Sequence, residues 1–530
     1  MEGCKERAQA HGLRFESETL EYIVTNRDMI ELGPKVMIPT LYDYWVHDVE
    51  VLKEKGRYEL YPNNPYETVI NTRPAISFYN DNNPDWLNVM IFYHVLAHID
   101  FFQNNLNFSQ TWDYDFTGQA LSDKRMISML RSRKGRWVDY LIEFARGIDN
   151  LVGFHKTLSR RFAGPRSKRI SRLDFYFDIF LQTDKGISTN AYVKEVNRYN
   201  ESMQKYAEQG EKLFFADVAK THPEFEGLYK SHLEAEHAES VDLMDYLLRR
   251  SPFLNREENR WMKSVIEVVR KTSLFFQPQI RTKIMNEGWA SYWHEKLFLE
   301  DDRIRGHEVE FARIHAKVTS LPRVGLNPYA LGMRLFQFIE EGADRGIYSQ
   351  DYRRIRDAHL RKHYDRKEGA GLPYIFSVRE DLSDFLFLQF FLDQDFVDRH
   401  RLFVAGKRFN NQRMSWQYFV KTRSAEAYLA MVRDSLYHPP YIRVGSRTAE
   451  EELCLVHVFE NKPLVKEFIT NTMVGLEFLW GGRVSLDTHE AIVKKRERGD
   501  RPQDPDEPPE VEWRAIRYIM ENRKLTHMYL

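Results

Sequence analysis

Two stretches of this 530-residue chain carry side chains whose types and spacing could do chemistry. In Met285-Asn286-Glu287-Gly288-Trp289-Ala290-Ser291-Tyr292-Trp293-His294, a carboxylate and an imidazole stand seven residues apart, with Ser291 between them. On a helix, positions i, i+4 and i+7 share one face. Glu287, Ser291 and His294 are therefore predicted to project together, in line with Ile280 and Ile284. A face made only for packing would carry Leu or Ile there; polar groups in that place must be paired, bound to metal or used in chemistry. The second stretch runs from Trp86 to Leu106. Leu87, Ile91, His94, His98, Phe101, Phe102 and Asn105 fall on one stripe of it, so two imidazoles sit at i, i+4 on an otherwise apolar face. That is the spacing by which a helix presents two ligands to one metal ion. A third ligand is commonly a Glu from another helix, and Glu287 is the natural candidate.

The pattern departs from the H-E-x-x-H zinc motif, which places its general base directly after the first His. Here that position is Val95. Asp100, Glu143, Glu236 and His294 are the candidate bases, and Asn105 is a candidate to orient a ligand or a substrate carbonyl. A competing, purely structural reading pairs Glu287 with His294 as a buried ion pair. The run Ser231 to Ser240 places His232 and Glu236 at i, i+4, and Glu234-x-x-His237 matches half of a di-iron pattern. No second Glu-x-x-His follows, so this run reads as a solvated face. His307 and His315 are eight residues apart, which is not a helical ligand spacing, although His307 could reach a site from a helix start. Phosphate-binding Gly-rich loops and G-x-S-x-G elbows are absent from the sequence.

Helices must position these residues. Asn83-Pro84-Asp85 reads as a cap with Pro at the first helical position, opening the Trp86 helix. Helical periodicity also appears around Tyr42 to Lys53, Trp137 to Leu158, Phe175 to Leu181, Phe225 to Arg249, Asn259 to Phe276, Ile280 to Leu299 and Arg334 to Ile339. Asn327-Pro328 marks a turn into that last helix, and Thr68 to Tyr79 suggests a short strand pair. Near residue 395 the pattern changes to β-β-α-β-β-α-β, with a helix over 424–437 and another ending at Gly481-Gly482. The expected fold is α+β: a large mainly helical domain (14–395), then a small split βαβ-like domain (396–490). Residues 491–530 are expected as a charged, Pro-containing linker and a terminal helix.

Composition narrows the class. Lys+Arg of 77 nearly cancels Asp+Glu of 78, so net charge gives no argument for nucleic acid or an anionic membrane. No stretch approaches the ~20 apolar residues of a membrane span, and the N-terminus has no apolar signal core. Cys4 and Cys454 are the only cysteines, which points to a reducing, cytoplasmic compartment and excludes C-x-x-C zinc sites.

The blocks KIMNEGWASYWH, LFFQPQIRT, GHEVEF and NPYALGMRLF resemble the SpoVR-like family, named for stage V sporulation protein R. His94-x-x-x-His98-x-x-Phe101-Phe102 and LWGGRVSL also look like that family's elements, and together the blocks span roughly residues 20 to 490. The segment Ile142 to Leu158 departs from it: His155 is present without the cysteine that precedes it in the family. The resemblance implies a link to spore-cortex formation, or to a stress response alongside a PrkA-type serine kinase and a von Willebrand-type partner. EGWA is similar to the third-ligand segment of some zinc peptidases, an analogy from a short motif. The leading expectation is a metal-dependent, zincin-like hydrolase of a peptide or cell-wall amide. His94, His98 and Glu287 would hold zinc, with His294, Glu143 and Asn105 as catalytic candidates. The alternative is a non-catalytic regulatory or scaffold protein that partners the kinase.

Overall fold

Apolar periodicity over the first four-fifths of the chain is converted into helices, and the alternating patterns near its end into strands. The computed structural model describes residues 1–16, 18–25, 28, 68–112, 116–152, 172–185, 187, 189–206, 209–230, 242–367, 369–410, 414–436, 439–445, 447–459, 462–493 and 511–530. The helix expected at Tyr42 to Lys53, the run containing His232, Glu234, Glu236 and His237, His155, and the linker over 494–510 lie outside the described residues. The chain divides into two units, 1–146 with 264–439 and 147–263 with 440–530.

The first unit is mainly helical. Helix α1 (Glu2–Ala10) precedes a three-stranded sheet of β1 (Thr19–Val24), β2 (Thr68–Ile70) and β3 (Ala75–Asn80). Strand β3 is central, parallel to β1 and antiparallel to β2, so the expected 68–79 strand pair is present. Helix α2 (Asp85–Asn104) is the His94/His98 helix; its N-cap is Pro84, one position later than the Asn83 cap the sequence suggests. Helix α3 (Trp137–Arg146) follows, and the unit resumes with α4 (Lys283–Leu299), α5 (Glu308–Val318), α6 (Pro328–Asp344), α7 (Gly371–Asp381) and α8 (Asp384–Phe391). The Asn327 side chain caps α6 by accepting from the Ala330 amide, with Pro328 in the first turn. Helix α4 packs against both α2 and α6, and its middle is buried on all sides from Ile284 to His294. At the α4–α6 crossing a Cβ on Gly288 would overlap the Gly332 backbone. Glycine at both positions lets the two backbones meet, which fixes the depth of Glu287.

Strands β4 (Val404–Asn410) and β5 (Ser415–Thr422) form a two-stranded antiparallel sheet, and the helix Ala425–Ser435 follows, capped by Ser424. By contact these group with the helical unit.

In the second unit a π-helical segment (Phe175–Asp184) packs with helices Thr189–Tyr206 and Gly210–Thr221 around an aromatic core that includes Phe175, Tyr176, Phe180, Phe214 and Phe225. The rest is a five-stranded sheet of β6 (Tyr441–Val444), β7 (Glu452–Val458), β8 (Arg483–Val493), β9 (Val511–Glu521) and β10 (Lys524–Tyr529). Strands β7 and β8 are parallel, joined through helix Lys466–Trp480, which ends at left-handed Gly481 as its sequence implies. The β-β-α-β-β-α-β order over 404–493 is observed, though as two separate sheets. One expectation is corrected: residues 511–530 form the β9–β10 hairpin, not a terminal helix. Ile516, Tyr518 and Met520 are buried at every second position, the period of a strand with one covered face.

Candidate metal centre

Helix α2 offers two imidazoles one turn apart, and α4 brings a carboxylate against them. His94, His98 and Glu287 are buried, and one ligand atom from each lies within 4.8 Å of the others, a group that could hold a metal ion. The Glu287 Oε2 lies 3.5 Å from His98 Nε2 and 3.7 Å from His94 Nε2. These separations are long for hydrogen bonds. Two ligands at 2.0–2.1 Å from a tetrahedral zinc stand roughly 3.3–3.4 Å apart, close to the separation of Glu287 Oε2 from each imidazole. The other carboxylate oxygen, Oε1, accepts from Lys283 one turn earlier on α4. Burial opposes ionisation of Glu287, but His94, His98 and Lys283 outweigh it and hold the carboxyl well below its usual range.

The groups behind the two imidazoles set their tautomers. Asn286 Oδ1 lies 2.8 Å from His98 Nδ1. An amide oxygen only accepts, so His98 carries a proton on Nδ1, and Nε2 is the nitrogen it would offer to a metal. His94 Nδ1 lies 2.8 Å from His294 Nδ1, and His294 Nε2 lies 2.9 Å from His315 Nδ1 on α5. If His94 is to present a bare Nε2, it donates to His294, His294 donates to His315, and His315 Nε2–H faces Glu295 Oε1 at 3.5 Å. Every member of this file is then neutral and donates in one direction. Burial, followed by the neighbouring His94 and His315, keeps His294 well below the usual imidazole range. His315 is pushed down to about 4 by burial, with Arg334 adding to it.

Access is provided on one side. A cavity of about 550 Å³ is lined by His94 and His294, with Met90, Val318, Pro322, Leu326 and Tyr329 among its other walls. The Tyr329 ring stacks on His94 with centroids 6.0 Å apart. The cluster is therefore buried but not sealed. At the start of α4, the Asp384 carboxylate accepts from the amides of Ile284 and Met285, both at 2.8 Å. It supplies from α8 the cap that α4 lacks in its own sequence. Burial pushes Asp384 up to about 7 against the pull of those two amides.

The remaining sequence candidates fall elsewhere. Glu143 is exposed on α3 and faces Arg146 one turn on, so it does not join the cluster. Asn105 is buried at the end of α2, where its Nδ2 donates to the carbonyls of Arg379 and Leu382 and its Oδ1 accepts from the Asn107 amide. Those groups are spent on backbone, so Asn105 fastens the chain instead of orienting a ligand. His294 does lie beside the group, with its two nitrogens against His94 and His315. Asp100 accepts from Trp289 Nε1 and the Arg14 amide and faces the Arg379 guanidinium, with burial raising it to about 6. His307 is exposed and stacks on Trp86. Trp289 and Trp293 are fully buried core residues, as their helix faces imply.

The model of the SpoVR like protein family matches residues 1–441. The chain is 25% identical over 338 residues to "Uncharacterized protein YcgB" of Escherichia coli (strain K12), covering 60% of this chain and 58% of that protein. The chain thus spans somewhat more than half the length of this curated relative. No solved structure matches.

Proposed function

We propose, for a chain that belongs to the SpoVR-like family, a metal-dependent hydrolase that cleaves a peptide or cell-wall-related amide. The observation that carries this is the trio of His94, His98 and Glu287, buried at ligand spacing beside a cavity. Two imidazoles and a carboxylate without thiolate suit zinc, and also iron or manganese. A bound divalent ion would polarise the amide carbonyl and lower the pKa of water toward ~7. His94 and His98 would bind through Nε2, with Asn286 and His294 holding their rings in the ligating tautomer. The file from His294 through His315 to Glu295 gives a proton at His294 Nε2 a path away from the site. The apolar cavity wall and Tyr329 would seat the substrate against the cluster and exclude water from its far side.

A second reading has its own support. Lys283 already neutralises Glu287, and Val95 occupies the position of the usual general base. On that reading the cluster is a structural network in a cytoplasmic regulatory protein, and the resemblance to the family supplies the partner, a PrkA-type serine kinase. Elemental mass spectrometry of the full chain, purified without chelator, separates the two. The hydrolase reading expects about one equivalent of divalent metal, lost in His94→Ala and Glu287→Ala while the circular dichroism spectrum is kept. Wild-type protein that neither contains metal nor takes it up on reconstitution would overturn it.

A further inference from the structure

The chain is electrically balanced as a whole, but its charges are not evenly spread. Between residues 399 and 423 there are seven Lys and Arg and no Asp or Glu. This stretch contains the β4–β5 sheet, which no third strand joins among the described residues. Register decides what each face shows. Phe409 pairs with Trp416, Lys407 with Tyr418 and Ala405 with Val420, and directly opposed residues share a face. One face therefore carries Phe409, Trp416, Tyr418 and Val420, at 42%, 57%, 58% and 47% exposure. The Lys407 ammonium lies 4.4 Å over the Trp416 ring on this same face. On the other face a Cβ on Gly406 would overlap the Phe419 ring, and the Arg408 guanidinium sits 5.5 Å from that ring. Among these cations, Arg399 is paired with Glu341, and Arg423 donates to the Arg401 carbonyl.

Exposed aromatic rings interleaved with cations are costly to leave in water unless something covers them. A negatively charged partner with flat apolar faces fits both features at once. We infer that the β4–β5 face binds single-stranded nucleic acid, stacking bases on Trp416, Tyr418 and Phe409 and placing phosphates near Lys407. Trp416 and Tyr418 are i, i+2 neighbours about 7 Å apart along the strand, roughly two base-stacking steps of about 3.4 Å. A duplex hides its base faces, so an unpaired strand is the form this surface can use. The inference is independent of the metal centre.

The test uses the full chain and a fluorescein-labelled mixed-sequence 20-nucleotide RNA and its DNA counterpart, followed by anisotropy across a salt series. Binding is expected, weakening linearly in log salt as counterions are released. Trp416→Ala with Tyr418→Ala should weaken it about tenfold or more, Lys407→Glu should weaken it as well, and Arg408→Glu, on the opposite face, should weaken it less. All four residues are exposed, and unchanged melting temperatures would confirm that the variants fold. In Trp416→Phe the tryptophan quenching on binding should shrink while affinity is largely kept. Absence of binding at low salt overturns the inference. So does binding that survives the aromatic pair intact, which would mark simple polyelectrolyte attraction. Equal competition by polyglutamate also overturns it, and would point to an acidic protein segment as the occupant.

Discussion

The outer hydrogen bonds of His94 and His98 make the clearest demands on single residues. Asn286→Ala removes the acceptor that holds His98 in its ligating tautomer, and loss of such a partner typically weakens metal binding 10–100-fold. A chelator-competition titration should show that loss, with Glu143→Ala, a change on an exposed helix face, at the wild-type value. Lys283 distinguishes the two functional readings. Its side chain is mostly exposed, so Lys283→Ala should leave metal content intact or tighten binding, since the metal no longer competes with an ammonium. If Lys283→Ala instead lowers the melting temperature of metal-free protein by several degrees and metal never binds, the structural-network reading gains. A pH effect follows from His315. Its folded pKa is about 4 against about 6.5 when unfolded. The unfolded chain then takes up the proton first, so stability is lost as pH falls from about 6.5 to 4. Urea unfolding at pH 7 and pH 5 should show a smaller drop for His315→Gln than for the wild type.

At the scale of elements, the site depends on how α4 is seated. Gly288→Ala drives a methyl into the Gly332 backbone, and backbone cannot rotate away as a side chain can. A loss of about 1–3 kcal/mol is expected, read as a lower urea midpoint, together with weaker metal uptake because Glu287 moves with its neighbour. The grouping of His94, His98 and Glu287 was legible in the sequence because α2 and α4 each write their share at helical spacing. His94 and His98 differ by one turn, and Glu287 and His294 by two. His315 and Asp384 were not legible, because they reach α4 from helices whose placement depends on tertiary packing. His315 shares a helix face with Phe311, which stacks on it, but that pattern alone names no partner. The placement of Glu143 and Asn105 was not legible for a related reason: residue type was readable, but whether a side chain faced solvent or backbone carbonyls was not.

For the whole molecule, the sheet in the second unit is built from segments on both sides of the charged stretch after Val493. The alternation of Ile516, Tyr518 and Met520 was present in the sequence, but Ile519 between them blurred it into an apolar run that also suits a helix. Because β9 is interior to the sheet, removing residues 494–530 should leave the second unit sensitive to limited proteolysis. Unchanged resistance would contradict the central place of β9. The division of the chain has another consequence, in the order of synthesis. His94 and His98 leave the ribosome 193 and 189 residues ahead of Glu287, and Asp384, which anchors the start of α4, comes later still. At about 5–20 residues per second, the nascent chain carries two unmated imidazoles for on the order of 10–40 s. His94, His98 and Glu287 are not all present during that interval, so any metal held by all three is loaded only after more than half of the chain has been made.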